Sequence, residues 1–532
     1  MADRKTPGVY IVEENAFPNS VVEVATAVPA FIGVTEKAAR DNQDLTGIPT
    51  RISSMAEFKT LFGGPPPSKL AYTSPSAAGK PFTLAIKPET HYRFYSSMQI
   101  FFDNGGGPCW VTSVGNYADV TKAGGMSAVK FEDICSNPLQ ELLKQQEPTM
   151  IVVPDAVMLG IDDWVKLSQQ VVAHCVATQS RVAILDVYNG DQKRTYDDND
   201  IISGVKSGFR NKITLDPDSR RYAAAYYPWL DSSVVDSSTV TYGFISDDSK
   251  AALVKDLKAD AGQVFSSPSD AAKLTALSAI IDKIAAPAPA EPAAGADAAA
   301  IAAAEAAKVA AANEQTSTHL ALNNLSPLYK LVMTGILEKL NLMPPAAAMA
   351  GVYTRIDNTR GVFKAPANVG INSVVGPVLD ITDADQEDLN VPIDGMAINA
   401  IRNFNGRGML IWGARTLDGN SQDWRYINVR RTMIMLEQSI KLAAQAYVFE
   451  PNNAQTWVMV KSMLTSFLTD RWKEGALVGS KPEDAFSVDV GLGSTMTGND
   501  ILNGYMLVMV KVCVVRPAEF IVITFQQLMQ KS

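Results

Sequence analysis

Apolar residues in this chain fall into short blocks of two periodicities, and those blocks divide it into predicted strands and helices. Val28–Val34, Met150–Pro154 and Arg181–Val187 are brief runs rich in β-branched residues, the pattern of strands. Between the last two, Ile161–Gln179 is helix-capable, so the stretch reads as one βαβ unit with parallel pairing. Near the C-terminus Val429, Met433, Leu436, Ile440, Ala443 and Tyr447 recur at spacings of four and three, and Trp457, Val460, Leu464 and Phe467 do the same. Two helices with one apolar face each are expected there, the second stopped at Gly475.

Both ends look strand-like. Thr6–Glu14 opens with a Pro-Gly turn and continues through Val9, Tyr10, Ile11 and Val12. At the other end Tyr505–Val515 is followed, after Arg516-Pro517, by Phe520, Ile521, Val522, Ile523 and Phe525. Phe17–Ser20 contains no helical pattern, so an extended N-terminal arm is expected. An unpaired strand must satisfy its backbone groups in its own sheet or at the edge of a neighbour's. The residues alone leave both readings open. If the acceptor is an identical subunit, the contact is heterologous and repeats into a ring or a helical filament.

From Ile284 the composition shifts to Ala and Pro, and residues 284–313 read as an exposed insertion. Its Pro-rich half should be extended, while Ala298–Ala312 has high helix propensity but few large side chains to bury.

Composition narrows the classes. A length of 532 residues suggests about three folding units, and 47% hydrophobic with 19% charged residues is the balance of a packed protein. Lys+Arg number 47 against 56 Asp+Glu, a net charge of −9 without a basic run, which argues against a nucleic-acid partner. No segment approaches about 18 continuous apolar residues, so direct membrane insertion is not expected. Met1–Lys5 lacks the apolar core of a signal peptide, and synthesis in the cytoplasm is expected. Cys109, Cys135, Cys175 and Cys513 form no Cys-x-x-Cys pair and read as buried free thiols.

Catalytic chemistry needs convergent groups, and the usual ones are scarce. His91, His174 and His319 stand apart, with no His-x-x-x-His spacing and no Gly-x-Ser-x-Gly elbow. His174 and Cys175 sit in an apolar helix-like stretch, where adjacent residues diverge by about 100°. Asn104–Pro108 lacks the Gly-Lys-Ser/Thr of a phosphate loop and reads as a turn before the strand Cys109–Thr112. Asp197–Asp200 lacks the ligand alternation of a calcium loop and reads as solvated. Trp424, Trp457 and Trp472 are expected as core or interface anchors, since no Lys/Arg stripe accompanies them. No catalytic, cofactor-binding or metal site is expected. The rival from another class is a cytosolic α/β hydrolase or transferase that uses one of the three His. A surface adhesin or coat subunit is a further alternative.

An ordered set of motifs points to one family. Thr6–Glu14 followed by Ala25–Gly33, then Phe58–Gly64, Phe101–Gly107 and Trp110–Thr112, resembles the start of contractile tail sheath proteins. Arg221–Trp229 is similar to the family's Tyr-Pro-Trp signature. Pro344-Pro345, Ala350–Tyr353 and Asp357–Asn368 resemble its most characteristic block; Leu389-Asn390, Asn399–Arg402 and Trp412–Thr416 complete it, and Trp424–Arg431 begins the first terminal helix. Each motif is weak alone; the order across nearly the whole chain is specific. The Ala/Pro-rich insertion is the main departure.

The resemblance implies a multidomain protomer of mixed α/β (α+β) class. Residues 1–30 would be an N-terminal arm and a strand joining an inner domain, 31–343 the outer middle part, and 344–532 the inner domain with a terminal β-arm. It further implies a subunit of a helical sleeve around an inner tube, with copies of itself, the tube protein, and baseplate and terminal cap proteins as partners. Among the branches the motifs most resemble extracellular contractile injection particles, with a phage tail next. The terminal arms would add strands to neighbouring subunits. Asp357, Arg360, Lys364, Arg402, Arg407 and Arg415 could be read as a phosphate-binding cluster, but their flanking Gly and Trp residues favour interface or intradomain ion pairs.

Overall fold

A computed structural model describes residues 21–75, 81–126, 129, 131–287, 289 and 297–523. The chain divides into two compact units where its length suggests about three. The larger takes Ala27–Ile356 and Pro366–Ile427; the terminal unit takes the chain up to Thr26, Asp357–Ala365, and everything from Asn428 onward.

The larger unit is built on an eight-stranded sheet. Its strands are β1 (Pro29–Thr35), β2 (Thr50–Ile52), β3 (Cys109–Asn116), β4 (Met150–Val152), β5 (Val182–Asp186), β6 (Ala223–Tyr227), β7 (Asn399–Phe404) and β8 (Gly408–Ile411), in the spatial order β8-β7-β6-β5-β4-β1-β3-β2. The six inner strands run parallel, and β8 and β2 close the two edges antiparallel. All seven residues of β1 are buried, as a central parallel strand covered on both faces requires. The expected βαβ unit is β4, helix Ile161–Thr178 and β5, with β4 and β5 paired directly.

The main helices of this unit, in chain order, are α1 (Phe94–Asp103), α2 (Ile161–Thr178), α3 (Asp247–Val264), α4 (Ala271–Asp282), α5 (Ala298–Leu325), α6 (Pro327–Asn341), α7 (Ala346–Arg360), whose last residues belong to the terminal unit, and α8 (Asp383–Asn390). On α2 the buried Trp164, Leu167, Val171 and Cys175 recur at helical spacing, and Asp162 and Asp163 sit where the helix dipole favours negative charge. After α1 the expected turn occurs at Asn104–Gly107. Gly105 has φ 95°, and a Cβ there would lie 2.9 Å from Cβ of Arg355.

Helices α3 to α6 gather around a core that includes Leu253, Leu257, Leu277, Ile281, Leu322 and Tyr329. The Ala-rich run is the first half of α5, started by the Asp297 side chain, which accepts from the Ala300 N–H. This half is largely exposed, as expected, but the helix runs twelve residues past 313 and reaches the core at Leu322.

The boundary expected at residue 344 is displaced. Strand β7 bonds to β6, so 366–427 completes the large sheet and only 357–365 and the chain from 428 belong to the terminal unit. The N-terminal contribution ends at Thr26 because β1 is a central strand of the large sheet.

The terminal unit packs helices α9 (Ile427–Ala444) and α10 (Ala454–Lys473) with a two-stranded antiparallel ribbon, β9 (Phe486–Val490) and β10 (Val508–Val512). The expected apolar faces form its core: Leu436, Val460, Leu464 and Phe467 are buried, and Met433, Ile440, Ala443 and Tyr447 pack on them half-buried. Asn453 caps α10, and Gly475 at φ 84° turns the chain after it.

Candidate functional site

In the terminal unit the backbone is left open. A two-stranded ribbon is marginal alone and gains its stability here from α10, against which β9 packs. Val508, Val510 and Val512 of β10 turn toward the core, while Met509 and Lys511 are exposed. Among the described residues the sheet ends at these two strands, so each carries an outer edge whose N–H and C=O groups can take a further strand.

Beyond Val515 the described chain has no regular structure. Phe520, Ile521, Val522 and Ile523 are 71%, 79%, 88% and 71% exposed. Four consecutive large apolar side chains in water form an uncovered apolar segment of the kind that marks an interaction site. The strand expected here is not formed within the chain as far as Ile523. Val9, Tyr10, Ile11, Val12 and Phe525 lie outside the described residues.

The described chain leading into these two terminal segments is held tightly. Helix α9 begins with an unusual run of buried polar residues, Asn428, Arg430, Arg431 and Thr432, with Ser439 further on. Burying such groups is costly unless they are bonded. Arg431 grips Asp357 with two nitrogens, at 3.0 and 2.5 Å, and donates to the Thr26 carbonyl at 3.0 Å. Asn428 donates to the carbonyls of Phe363 and Val515 at 2.9 and 3.3 Å. The Val24 N–H donates to Ser439 Oγ at 3.1 Å, and Glu23 pairs with Arg471.

The six charged residues singled out from the sequence do not form one cluster. Asp357 is in the terminal unit, in the buried pair with Arg431. Arg360 is exposed, with no ion-pair partner among the described residues, and Lys364 lies 5.3 Å from the Phe363 ring centroid. Arg402, Arg407 and Arg415 belong to the larger unit. Arg402 meets Asp383 at 2.8 Å and Gln386 of α8 at 2.6 Å. Arg407 sits 5.7 Å from the Trp412 ring centroid and donates to Asn368. Arg415 is buried and donates to the carbonyls of Asn390 and Gly419 at 2.9 and 3.2 Å. Charge reversal at Arg415 therefore challenges the fold of this unit before it challenges any assembly.

Sequence reasoning placed Asn428 and Arg431 in the Trp424–Arg431 motif without giving either a role, and passed over Ser439. The available signal was polar residues on the buried side of an amphipathic helix, at positions where apolar ones would suffice.

The site of the rival enzyme reading is the crevice outside the carboxyl ends of the parallel strands, where α/β proteins bind ligands. Its two buried carboxylates are engaged with the protein's own backbone. Asp155 accepts from the N–H groups of Val34 and Arg93 at 3.0 and 2.7 Å, and Asp186 from that of Ala346 at 2.7 Å. Burial pushes these carboxyls up, Asp155 to about 6 and Asp186 to about 7. Arg93 donates to the Leu342 carbonyl and stacks 4.7 Å from the Trp229 ring centroid. Each His is engaged separately: His91 with Ser68 at 3.1 Å, His174 with Arg181 at 3.1 Å, His319 with Tyr329 at 3.0 Å. Burial pushes His91 down to about 3 and His174 to about 4. Among the described residues no group of three or more His, Cys, Asp or Glu side chains could hold a metal ion.

Two expectations need correction. Asp200 of the acidic loop is fully buried, not solvated, because it accepts from the N–H groups of Tyr196 and Ile202 and pairs with Arg194 at 3.2 Å. Cys513 is exposed, not buried, since it follows β10 on the open side of the ribbon; Cys135 is half-buried. The three Trp near the terminal helices are half-buried, and Trp457 and Trp472 hydrogen-bond to Asn452 and to the Gly479 carbonyl.

The fold is that of a contractile sheath subunit. A solved helical sheath of the anti-feeding prophage in its contracted state is 25% identical over 99% of this chain and 100% of its own, with a TM-score of 0.56. A sheath complex of an extracellular contractile injection system, PVC, also contracted, is 25% identical with 99% of each chain covered and a TM-score of 0.55. Residues 420–527 match the phage tail sheath C-terminal domain family. The tail sheath protein of Salmonella phage ViI is 27% identical over 158 residues, 29% of this chain, and that of Enterobacteria phage T4 is 32% identical over 117, 21% of this chain. Those alignments span 25% and 17% of the two phage proteins. Together these matches give the chain the fold of contractile tail sheath proteins along its length and their C-terminal domain at 420–527.

Proposed function

We propose that the chain is a structural subunit of a helical sheath around an inner tube, and that sheath contraction drives the tube through a target envelope as part of an extracellular contractile injection system. The observation that carries this reading is the likeness over 99% of the chain to the sheaths of the anti-feeding prophage and of the PVC injection system. Identical copies, the tube protein, and baseplate and terminal cap proteins are the partners. The particle is assembled in the cytoplasm and acts outside the cell.

The terminal unit is the inner, tube-side part, and the larger unit faces outward. The segments around Val9–Val12 and Phe520–Phe525 are the linking arms, and the open edges of β9 and β10 are their acceptors on neighbouring copies. Asp357 acts within the terminal unit, while Arg360, exposed at the end of α7, is available to a neighbour. The role requires no bond chemistry. An extended lattice that gains contacts on contraction needs only on the order of a few kcal/mol per subunit, because many copies act together.

Electron microscopy of the purified chain, alone and with its tube protein, tests the proposal: hollow striated cylinders are expected. A compact monomer or small closed oligomer under all conditions would refute it. A phage tail is the second reading, favoured by the match at 420–527. Particles from the producing cell that end in a DNA-filled head would establish it.

A further inference from the structure

The arms of a sheath can transmit a pull only if their roots are fixed, and both roots converge on one helix. Asn428 and Arg431 lie three residues apart on α9, so they share a face of the helix. Arg431 holds the carbonyl of Thr26, the last residue of the N-terminal contribution to this unit. Asn428 holds the carbonyl of Val515, just before the exposed C-terminal segment. Both contacts go to main-chain oxygens, so they grip the backbone whatever side chains the arm carries. Two turns on, Ser439 holds the Val24 N–H.

A buried ion pair such as Arg431–Asp357 contributes little net stability compared with well-packed apolar residues, and its best-attested use is to fix register. Here the same guanidinium fixes Asp357 and the N-terminal root together, and the amide two positions before Arg430 fixes loop 361–365 and the C-terminal root together.

We propose that the first turns of α9 are a clamp for both arms, with Arg431 and Asn428 as positioning residues that set where each arm leaves the unit. This rests on the sheath reading for its purpose, though not for its test. In an assembly, a pull on one arm would reach the other through α9, sparing the weaker ribbon β9–β10.

The test is amide exchange on the full chain as an unassembled protomer, followed over residues 21–27 and 513–518. Arg431→Lys keeps the positive charge beside Asp357 but, as a point charge, cannot hold both carboxylate oxygens and Thr26. It should speed exchange over 21–27 about tenfold, the effect of losing one charge-assisted hydrogen bond, and leave 513–518 unchanged. Asn428→Ala should do the reverse. Ser439→Ala removes the acceptor of the Val24 N–H and should likewise speed exchange over 21–27 while leaving 513–518 unchanged, so a misfolded Arg431 variant does not leave the question undecided. Equal response of both roots to either variant, or none, would overturn the clamp. Failure of the wild-type chain to form cylinders would count against the sheath reading alone.

Discussion

Replacing Ile521 and Ile523 by Ser separates a role in assembly from a role in folding. The two residues lie on one face of an extended strand, by the period of two. In the protomer they are 79% and 71% exposed, so the substitutions remove almost no buried area and should change its stability by no more than about 0.5 kcal/mol. For a chain of this size that moves the melting temperature by about 2 °C or less. In a lattice the same side chains would be covered, and full burial of each contributes about 1.5–3 kcal/mol. Each subunit junction therefore forfeits about 3 kcal/mol or more, which raises the concentration needed for assembly at least a hundredfold at roughly 1.4 kcal/mol per decade. Melting curves read the first quantity; sedimentation with electron microscopy across a dilution series reads the second. Assembly at an unchanged concentration would refute the arm assignment. A fall in melting temperature as large as that of a core substitution would show instead that the segment completes its own chain's fold.

Removing Met1–Ala16 should leave a folded, soluble protomer that forms no sheath, and normal tubes from the truncated chain would contradict the N-terminal arm. The folded-state values of Asp186 and Asp155, about 7 and about 6, lie above the roughly 3.9 of an unfolded Asp. The native protein then binds more protons than the unfolded chain, so these two groups make stability fall as pH rises from about 4 to about 7. Asp186→Asn keeps an oxygen for the Ala346 N–H and should flatten that slope in melts from about pH 5 to 8; an undiminished slope would disprove the attribution. Burial pushes the thiols of Cys175 and Cys135 up to about 12 and raises that of Cys109 too, while Cys513 is exposed. A thiol reagent should therefore modify Cys513 far faster than the other three in the native protomer, and all four together after denaturation. Leu464→Ala, at a buried core position of α10, should cost about 2–5 kcal/mol, read as a lowered denaturant midpoint.

What could be read from the sequence was what local periodicity encodes. The βαβ unit around α2, the two terminal helices and the turn at Gly105 were legible because each rests on residues within one or two turns of each other. The unit boundary was not. Nothing near Asn399 shows that β7 would reach back to pair with β6, more than 170 positions earlier, because strand pairing at such separation leaves no local trace. Asp200 was misjudged for a related reason: a run of acidic residues reads as solvated, and the Arg194 guanidinium and turn amides that satisfy it depend on how the loop closes. The clamp was half visible, since Trp424–Arg431 stood out as a motif, yet the partners of Asn428 and Arg431 lie 65 to more than 400 residues away.

The terminal unit is woven from three separate stretches of chain: the beginning, the nine residues Asp357–Ala365 at the end of α7 and just beyond it, and the part from Asn428 onward. During synthesis, domains fold as units once their residues have left the ribosome. The larger unit can close as soon as β7 and β8 emerge, whereas the terminal one must wait for β10. On the sheath reading, a nascent chain that has not yet extruded β10 therefore lacks the paired ribbon whose open edges are the proposed acceptors.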